Sequence, residues 1–496
     1  MITISGARLT INDFEKVARF DNLIGISRIA VAKMQRSRKV VENALASRKP
    51  AYGLNTGFGK LADRKISSAD LLTLQKNLIR SHACGVGAPL SREAIRGIML
   101  LRINALACGY SGIRPQVVQT LVRMLNSGVH PVIPSQGSVG ASGDLAQLAH
   151  LALVLLGEGK AEFHNRIYSG SVAMKKARIS TLVLQPKEGL ALINGTQAGA
   201  SLAALSLIDA QALVLAADII GAMSIESVKG SAKPFIREIS AVRPHPGQIK
   251  AAANILRLFK FSQINRSHKN CGKIQEPYSL RCIPQVHGAV RDAISHLKNV
   301  LEIEFNSATD NPLVFPDKNE IVAGGNFHGE PLALSLAYFN AAMVELASIS
   351  ERRIALLMDP LFSGLPAFLA KNPGLESGLM MAHVTAAALV SESKILAHPA
   401  AIDSIPTSAN QEDHVSMSFT ASRMSTAIIE NVKSVLAIEM IASCAALDFL
   451  QPLKPGPVLQ KAISLIRQSV PPHHGDRILA TDIEKAGKLI GSLSKL

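Results

Sequence analysis

The most reactive arrangement in the sequence is Ala141-Ser142-Gly143, which lies inside the Gly-rich segment 137–146. If this loop is bent tightly, the amide nitrogen of Gly143 can approach the carbonyl carbon of Ala141, because glycine has no Cβ to block the approach. Cyclisation with loss of water gives an imidazolone ring. Loss of the Ser142 hydroxyl as a second water then leaves an exocyclic methylidene, a carbon electrophile that no ordinary side chain supplies.

Two simpler interpretations of this segment compete with cyclisation. A phosphate-binding loop is disfavoured, because the segment lacks the Lys-Ser/Thr pair of a Walker motif, follows no predicted strand and lies in no βαβ pattern. A plain Gly-rich turn is the default for Ala-Ser-Gly-Asp taken alone, with Asp144 capping the next helix. The N-terminal dipole of that helix favours negative charge on a neighbouring ring.

Six further segments are polar or rich in glycine and unlike core sequence. Loops that position functional groups on a helical scaffold have this composition. They are AYGLNTGFG (51–59), SHACGVGAP (81–89), LINGTQA (192–198), QEPYSLRC (275–282), GGNFHGE (324–330) and SANQEDHVS (408–416).

The elements that must position these loops are mostly helices from about residue 90 onward, and the strand signal is weak. Apolar residues recur there at the i, i+3, i+4, i+7 spacing of helices. The clearest helix begins at Pro331 and ends before Asp359-Pro360. Two more long helices are predicted over 196–223 and 412–450. Both of these are apolar on more than one face, and several helices of this length and composition favour a bundle completed by other subunits.

The composition indicates a large globular protein, with 496 residues of which 48% are apolar and 18% charged. It excludes intrinsic disorder and fibrous folds. The net charge is +16, and residues 229–298 hold 13 basic and 3 acidic residues. Because that stretch lacks interleaved aromatics, zinc spacing and RNA-binding signatures, a solvated basic surface or a funnel for an anionic substrate is favoured over nucleic-acid binding.

Targeting and metal signals are weak in this sequence. The first sixteen residues contain acids and no apolar signal-peptide region, and Asp209 and Asp218 interrupt the most apolar stretch, 198–223. Five cysteines without a CxxC pair favour reduced thiols. No HExxH motif, Cys/His cluster or EF-hand spacing occurs. We therefore expect a cytoplasmic protein with no membrane segment and no obligatory metal.

The seven segments, in this order over about residues 50–485, resemble the aromatic amino acid ammonia-lyases, and are most similar to the histidine-specific members. The resemblance implies an all-α fold like that of the aspartase and fumarase superfamily, and a homotetramer whose active sites draw on several subunits. It also implies a methylidene-imidazolone (MIO) prosthetic group made from Ala141-Ser142-Gly143, with no external cofactor. The chain departs from the family at Gln147, usually proline, at Gly272, and at 235–240, and the first departure could loosen the helix after the loop.

Eliminating ammonia from an α-amino acid breaks a weakly acidic Cβ–H bond and expels a poor leaving group, so an electrophile must assist. No stretch predicts the lysine and phosphate site of pyridoxal phosphate. The methylidene could accept the substrate amine or add to the imidazole ring, and the sequence leaves both routes open. In this interpretation residues 1–200 carry the MIO loop and residues 201–496 form the long-helix bundle of one continuous lyase unit.

The resemblance also implies roles for single residues. Tyr52 matches the base that removes the β-proton, which requires a lowered phenol pKa, and Glu412 is the alternative base. Arg281 matches the residue that binds the substrate carboxylate, a task suited to a bidentate guanidinium. Hydrogen bonds to the prosthetic ring or the substrate, or packing beside them, are implied for Asn194, Gln275, Tyr278 and Phe327.

His82 and Glu412 carry the predicted specificity. Phenylalanine-type members have apolar residues where this chain has His82-Ala83, whereas an imidazole substrate needs polar partners. His82 could bind one ring nitrogen and Glu412 the other, which predicts conversion of L-histidine to trans-urocanate and ammonia, the first step of histidine degradation. The alternatives are a tyrosine or phenylalanine ammonia-lyase, a 2,3-aminomutase, and, outside this chemistry, an inactive helical scaffold or a nucleic-acid-binding protein.

Overall fold

The computed structural model describes residues 1–47, 51–268 and 274–496. Helices dominate and the strands in the described part are two to four residues long, so the predicted all-α fold is confirmed. The sequence departure at Gly272 and the thiol of Cys271 lie outside the described residues.

The helices in the first half of the chain vary in length, and the last of them has 31 residues. They are α1 Ile11–Ala18, α2 Arg28–Ala46, α3 Leu71–His82, α4 Arg92–Ala107, α5 Pro115–Ser127, α6 Leu145–Leu155, α7 Gly170–Lys176, α8 Glu188–Ile193 and α9 Gln197–Ser227. Those that follow are α10 Arg237–Ala241, α11 Pro246–Leu258, α12 Gln263–Ser267, α13 Tyr278–Arg281, α14 Ile283–Phe305, α15 Glu330–Met358, α16 Pro360–Ser363, α17 Met380–Leu396, α18 Ser418–Asp448, α19 Pro457–Arg467 and α20 Leu479–Leu493.

The strands form four small sheets among the described residues. Their bounds are β1 Ile2–Ile4, β2 Ile24–Ile26, β3 Val86–Pro89, β4 His130–Pro131, β5 Pro134–Gln136, β6 Lys160–Phe163, β7 Arg166–Ser169, β8 Leu313–Phe315 and β9 Glu320–Val322. Strands β1 and β2 pair in parallel. The pairs β3–β5, β4–β6, β6–β7 and β8–β9 are antiparallel.

The described chain divides into two compact units, each assembled from three segments. The first unit comprises Met1–Leu205, Leu297–Ala337 and Pro399–Arg423. The second comprises Ser206–His296, Tyr338–His398 and Met424–Leu496. Helices α9, α14, α15 and α18 contribute residues to both ranges. The predicted division near residue 200 stays a prediction.

Two of the three long helices have nearly the predicted bounds, and the third begins later. Helices α9 and α15 match the predicted segments closely, whereas α18 begins at Ser418, six residues after the predicted start. Residues 408–410 and Met417 have positive φ, which a helix does not accept, so this segment is a loop. The structure also contains three helices before residue 90, where the sequence analysis placed none.

Two helices, α9 and α15, are long and apolar enough to span a membrane by length and composition. In the structure, 72% and 61% of their most apolar windows are buried. Core helices of globular proteins have the same properties, so neither helix indicates a membrane.

Helix α4 is the centre of the first unit, because every residue from Ala94 to Ala107 is buried. Gly97 permits this close packing, since a Cβ there would lie 2.6 Å from the Phe14 ring. The same helix carries two buried arginines, Arg96 and Arg102. Burying two guanidinium groups in one helix is costly unless each is bound by fixed acceptors.

In the second unit a single carboxylate connects three long helices. Glu439 on α18 accepts hydrogen bonds from the Arg353 guanidinium at 2.5 and 2.8 Å. It also accepts from Ser224 of α9 and Ser350 of α15, both at 2.6 Å. All four residues are fully buried. The network satisfies both carboxylate oxygens and fixes the register of these helices.

We expect Glu439→Gln to destabilise the protein strongly, because it leaves the Arg353 charge buried without its partner, a loss of roughly 3–5 kcal/mol. The matched control is Glu430→Gln on the same helix, whose partner is the exposed Lys433. Its effect should stay within about 0.5 kcal/mol. Thermal unfolding followed by circular dichroism measures both. Equal midpoints for the two variants would contradict the proposed role of Glu439.

Candidate active site

The first unit contains a cavity of about 870 Å³ lined by several of the segments singled out in the sequence. Its wall is built from the loop after Tyr52, the C-terminal part of α3, the Gly-rich loop 137–146 and the loop that ends at Glu412. Seven predicted site residues lie on this wall: Tyr52, His82, Ala141, Ser142, Gly143, Asn194 and Glu412.

The Ala141-Ser142-Gly143 loop is sharply bent. Ser142 and Gly143 both have positive φ, of 53° and 75°. Gly143 pairs with Gly195 in an isolated bridge, and the amide of the following residue donates to the Gly195 carbonyl at 2.7 Å. A Cβ on Gly143 would lie 2.2 Å from that carbonyl oxygen. Only glycine fits at this position, as the cyclisation chemistry also requires.

Asp144 binds a different helix from the one predicted. Although it stands at the start of α6, its carboxylate accepts from the amide of Gly199 in the first turn of α9, at 2.8 Å, and from the Ser138 hydroxyl at 3.2 Å. The expectation that it caps its own helix is therefore wrong. Complete burial raises the pKa of Asp144 to about 6. The carboxylate ties the Gly-rich loop to the start of α9.

Two more helices begin beside the same loop. The amide of Gly329, one residue before α15, donates to the Gly140 carbonyl at 3.2 Å. The amide of Met417, one residue before α18, donates to the Val139 carbonyl at 2.8 Å. Together with α6 and α9, four helix N-termini therefore surround the loop. Their dipoles favour negative charge that develops there.

Glu412 faces the loop directly. Its Oε1 accepts from the Ser142 hydroxyl at 3.0 Å, and its Oε2 accepts from the Thr407 hydroxyl at 2.6 Å. Thr407 also pairs with Glu412 in a short bridge. Thr407 lies one residue before the 408–416 motif and was not among the predicted site residues. Its only signal was a hydroxyl residue next to a motif rich in polar groups.

His82 is the last residue of α3, and its ring is oriented by the preceding turn. Its Nδ1 lies 2.8 Å from the Leu78 carbonyl. Because a carbonyl only accepts, Nδ1 carries the proton and Nε2 is an acceptor. Burial lowers the pKa of His82, which favours the neutral ring. A neutral His82 can therefore accept a hydrogen bond from a substrate N–H.

Tyr52 and Asn194 have contrasting surroundings in the cavity. Tyr52 is half-buried, and its hydroxyl oxygen accepts from the Gly59 amide at 3.4 Å. Asn194 is buried, and its Nδ2 donates to the Asn311 carbonyl at 2.8 Å. Its Oδ1 is also buried and has no hydrogen-bond partner among the described residues. Such an orphaned acceptor is expensive to leave unpaired, which points to a donor on a bound molecule.

Gln147, where the family usually has proline, makes side-chain contacts that proline could not make, and its predicted effect on helix α6 stays a prediction. Its side chain is buried, and Nε2 donates to the carbonyls of Pro134 and Gln136 at 3.3 and 3.1 Å. The side chain therefore binds α6 to strand β5, which directly precedes the Gly-rich loop. The sequence analysis predicted no strand at this position.

Three other predicted residues, Gln275, Tyr278 and Arg281, lie in the second unit, and Gln275 and Arg281 line a cavity of about 520 Å³. Arg281 donates through Nε to the Glu276 carbonyl at 2.9 Å, and its guanidinium lies 4.7 Å from the centre of the Tyr278 ring. In the amide orientation that satisfies both groups, Gln275 accepts from both terminal nitrogens of Arg281 at 2.9 Å. Lys233 also lines this cavity. The cluster is suited to an anionic group.

Phe327 is half-buried in the first unit and lies outside the wall of the larger cavity. No group of three or more metal-ligating side chains occurs within 1–47, 51–268 and 274–496. The prediction that no metal is required stays a prediction.

The sequence matches the aromatic amino acid lyase family over residues 9–468. It is 50% identical to the histidine ammonia-lyase of Myxococcus xanthus over 99% of this chain and 97% of that protein. The crystal structure of histidine ammonia-lyase from Trypanosoma cruzi is 41% identical, with a TM-score of 0.92 over 100% of this chain and 94% of that one. The tyrosine aminomutase of Streptomyces globisporus is 35% identical, with a TM-score of 0.93 over 99% and 97%. The matched residues include every segment of the candidate site.

We expect Gly143→Ala to prevent the loop from reaching its bent conformation, because the added Cβ collides with the Gly195 backbone. The purified variant should keep the full mass of its encoded sequence instead of losing two water molecules. Gly491→Ala is the control, since a Cβ there meets open space. Intact-protein mass spectrometry makes the comparison. Complete water loss in Gly143→Ala would show that the contact does not control the loop.

Proposed function

We propose that this chain, which belongs to the aromatic amino acid lyase family, is a histidine ammonia-lyase that converts L-histidine to trans-urocanate and ammonia. Family membership confirms the predicted carbon–nitrogen lyase chemistry. The choice of histidine is supported by relatives about half identical over almost the whole chain. In the structure, the observation that carries it is the placement of His82 and Glu412 on one cavity wall with the Ala141-Ser142-Gly143 loop.

The family is MIO-dependent, and the loop of this chain fits the group. Its bent backbone and the tight contact of Gly143 with Gly195 are what cyclisation requires. The orphaned Oδ1 of Asn194 lies beside the loop and supplies an acceptor for a donor on the substrate, such as its amino group. When formed, the MIO group would supply the electrophile that makes loss of ammonia feasible. We propose that Ala141, Ser142 and Gly143 form it without any external cofactor.

The side chains around the loop divide the remaining tasks. We assign to Tyr52 the removal of the β-proton, with Glu412 as the alternative base. Glu412 is held towards the loop by Thr407, so its carboxylate is oriented before substrate arrives. His82 accepts from the substrate imidazole through Nε2. A cavity with these partners leaves polar groups unpaired when an apolar ring enters, and such sites discriminate by roughly 10⁴-fold or more.

The Arg281 cluster is proposed to bind the substrate carboxylate in the site of a neighbouring subunit of a homotetramer. Tyr278 is 72% exposed although it is a predicted site residue. Helix α17 is apolar, yet three of its large apolar residues are at least half exposed: Met381, Val384 and Ile395. An apolar face of this kind is expected to be covered by another copy. Phe327 is proposed to pack beside the substrate in the assembled site.

The cytoplasm is the proposed location. The described cysteines, Cys84, Cys108, Cys282 and Cys444, are all free thiols. Disulfides are typical of proteins in oxidising compartments, so free thiols agree with a reducing one.

Substrate selectivity tests the proposed function. We expect wild type to prefer histidine over phenylalanine by ~10⁴ in kcat/KM. His82→Leu combined with Glu412→Gln should remove activity on histidine and raise relative activity on phenylalanine, because the imidazole partner and the carboxylate charge are both lost. Product analysis separates urocanate from a β-amino acid, which an aminomutase would form.

Leu72→Ala is the control for this comparison, since Leu72 is an exposed residue of α3, the helix that carries His82. It should leave the ratio of kcat/KM values unchanged. A ratio near one in wild type, or no shift in the double variant, would contradict the assignment of His82 and Glu412 as readers of the ring.

Complementation tests the shared active site. Tyr52→Phe and Arg281→Met should each be nearly inactive. A positioned proton-transfer group such as Tyr52 typically contributes ~10²–10⁴-fold in rate, and Arg281 is the proposed partner of the substrate carboxylate. Co-expression of the two variants should restore part of the activity, because some mixed sites would take Tyr52 from one subunit and Arg281 from another. Co-expression of Tyr52→Phe with Ser142→Ala should restore none, as both residues line one cavity. Equal restored activity in the two co-expressed pairs of variants would refute the shared active site.

A further inference from the structure

Arg102 lies fully buried on α4, directly behind the candidate site. Its Nη1 donates to the main-chain carbonyl of Asn194 and to the Gln197 side chain, the latter at 2.8 Å. Its Nε and Nη2 have no hydrogen-bond partner among the described residues. Only one nitrogen of this guanidinium is therefore bound within the described part of the chain.

The charge of Arg102 is poorly compensated. Burial lowers the pKa of Arg102 to about 10, and Asp310 is the carboxylate that opposes this effect. However, Asp310 already forms a fully buried ion pair with Lys187 at 2.8 Å. Two buried cations thus share one carboxylate. Such an arrangement costs stability, and an apolar side chain of the same volume would often be more stable. Stability alone does not explain an arginine at this position.

The geometry around Gly195 supplies a reason. A Cβ on Gly195 would lie 2.7 Å from Nη1 of Arg102 on one side. A Cβ on Gly143 would lie 2.2 Å from the Gly195 carbonyl oxygen on the other side. The Gly195 backbone is therefore held between the guanidinium and the Gly-rich loop. Both contacts are possible only because the two residues are glycines.

We infer that Arg102 is a positioning residue for formation of the prosthetic group, and that it holds the Asn194–Gly195 peptide against Gly143 so that the loop stays bent. This inference rests on the proposed function. In the reaction a bond forms between the Gly143 nitrogen and the Ala141 carbonyl carbon. The Ala141 oxygen leaves as water with the amide hydrogens of Ser142 and Gly143. The Ser142 hydroxyl leaves as a second water with the Cα hydrogen of the same residue, so no co-reactant is needed.

Arg102 acts on this reaction through the main chain, since it contacts the Asn194 carbonyl and not the reacting atoms. Without its donor, the Asn194–Gly195 peptide is free to rotate or retreat from Gly143. A displacement of about 1 Å at a reacting centre can cost ~10²-fold in rate. Removing Arg102 should therefore slow the loss of water without necessarily unfolding the chain.

The test is the rate of water loss after a short pulse of expression, followed by intact-protein mass spectrometry. Arg102→Met keeps the approximate volume and removes the donors, and we expect its conversion to be roughly 10- to 100-fold slower than that of wild type. Arg96→Met is the matched control. Arg96 is buried on the same helix and contacts Asp21, His130 and the carbonyls of Val17 and Leu125, all of which lie outside the Gly-rich loop and the Asn194–Gly195 peptide. Its conversion rate should equal that of wild type.

Circular dichroism shows which variants are folded, and water-loss rates are compared only among those. Arg102→Lys, which keeps one donor for the Asn194 carbonyl, should recover part of the rate, and it serves as the test variant if Arg102→Met aggregates. Wild-type rates in both Arg102 variants, or equal slowing in Arg96→Met, would overturn the inference. A wild-type protein that never loses water would instead refute the proposed function itself, so the two failures are distinguishable.

Discussion

The contact between Gly143 and Gly195 is the constraint on which the candidate site depends. The two backbones approach so closely that a Cβ on Gly143 would lie 2.2 to 2.4 Å from backbone atoms of Gly195. This contact brings the loop after β5 to the segment between α8 and α9, fifty residues later in the chain. The bent Ala141-Ser142-Gly143 backbone follows from it. A loop that was free of this partner would have no reason to keep two successive residues at positive φ.

The rest of the first unit supports this contact from several directions. Asp144 connects the loop to the first turn of α9, and Gln147 connects α6 to β5. Four helices begin around the loop, so their dipoles act at one place. The side chains proposed for proton transfer and ring recognition stand on loops or helix ends, while Arg102 of the buried helix α4 binds the Asn194 carbonyl. Loops can carry the chemistry because the helices around them are fixed.

Much of this arrangement was predictable from the sequence, for identifiable reasons. The long helices α9 and α15 follow from apolar periodicity and from proline punctuation, which are local signals. The polar loops were recognisable because their composition differs from that of the core. The resemblance to a family then allowed roles to be assigned to motif residues such as Tyr52 and Arg281.

The features that were missed depend on contacts between distant segments. Asp144 was expected to cap its own helix, but the partner that it binds, Gly199, is brought close only by the fold. Thr407 and Arg102 interact with residues far away in the sequence or across a turn, and no local pattern marks them as functional. The one available signal for Arg102 was a charged residue in an apolar run of α4, and Arg96 on the same helix has a similar setting. The late start of α18 was missed because left-handed backbone at residues 408–410 is a tertiary effect that composition does not encode.

The most direct test of the central claim is peptide mapping of the purified wild-type protein by tandem mass spectrometry. The account predicts that the fragment containing Ala141, Ser142 and Gly143 is lighter than its encoded mass by two water molecules, and that every other fragment has its encoded mass. An unmodified fragment at this position, in a protein that still releases ammonia from histidine, would contradict the account.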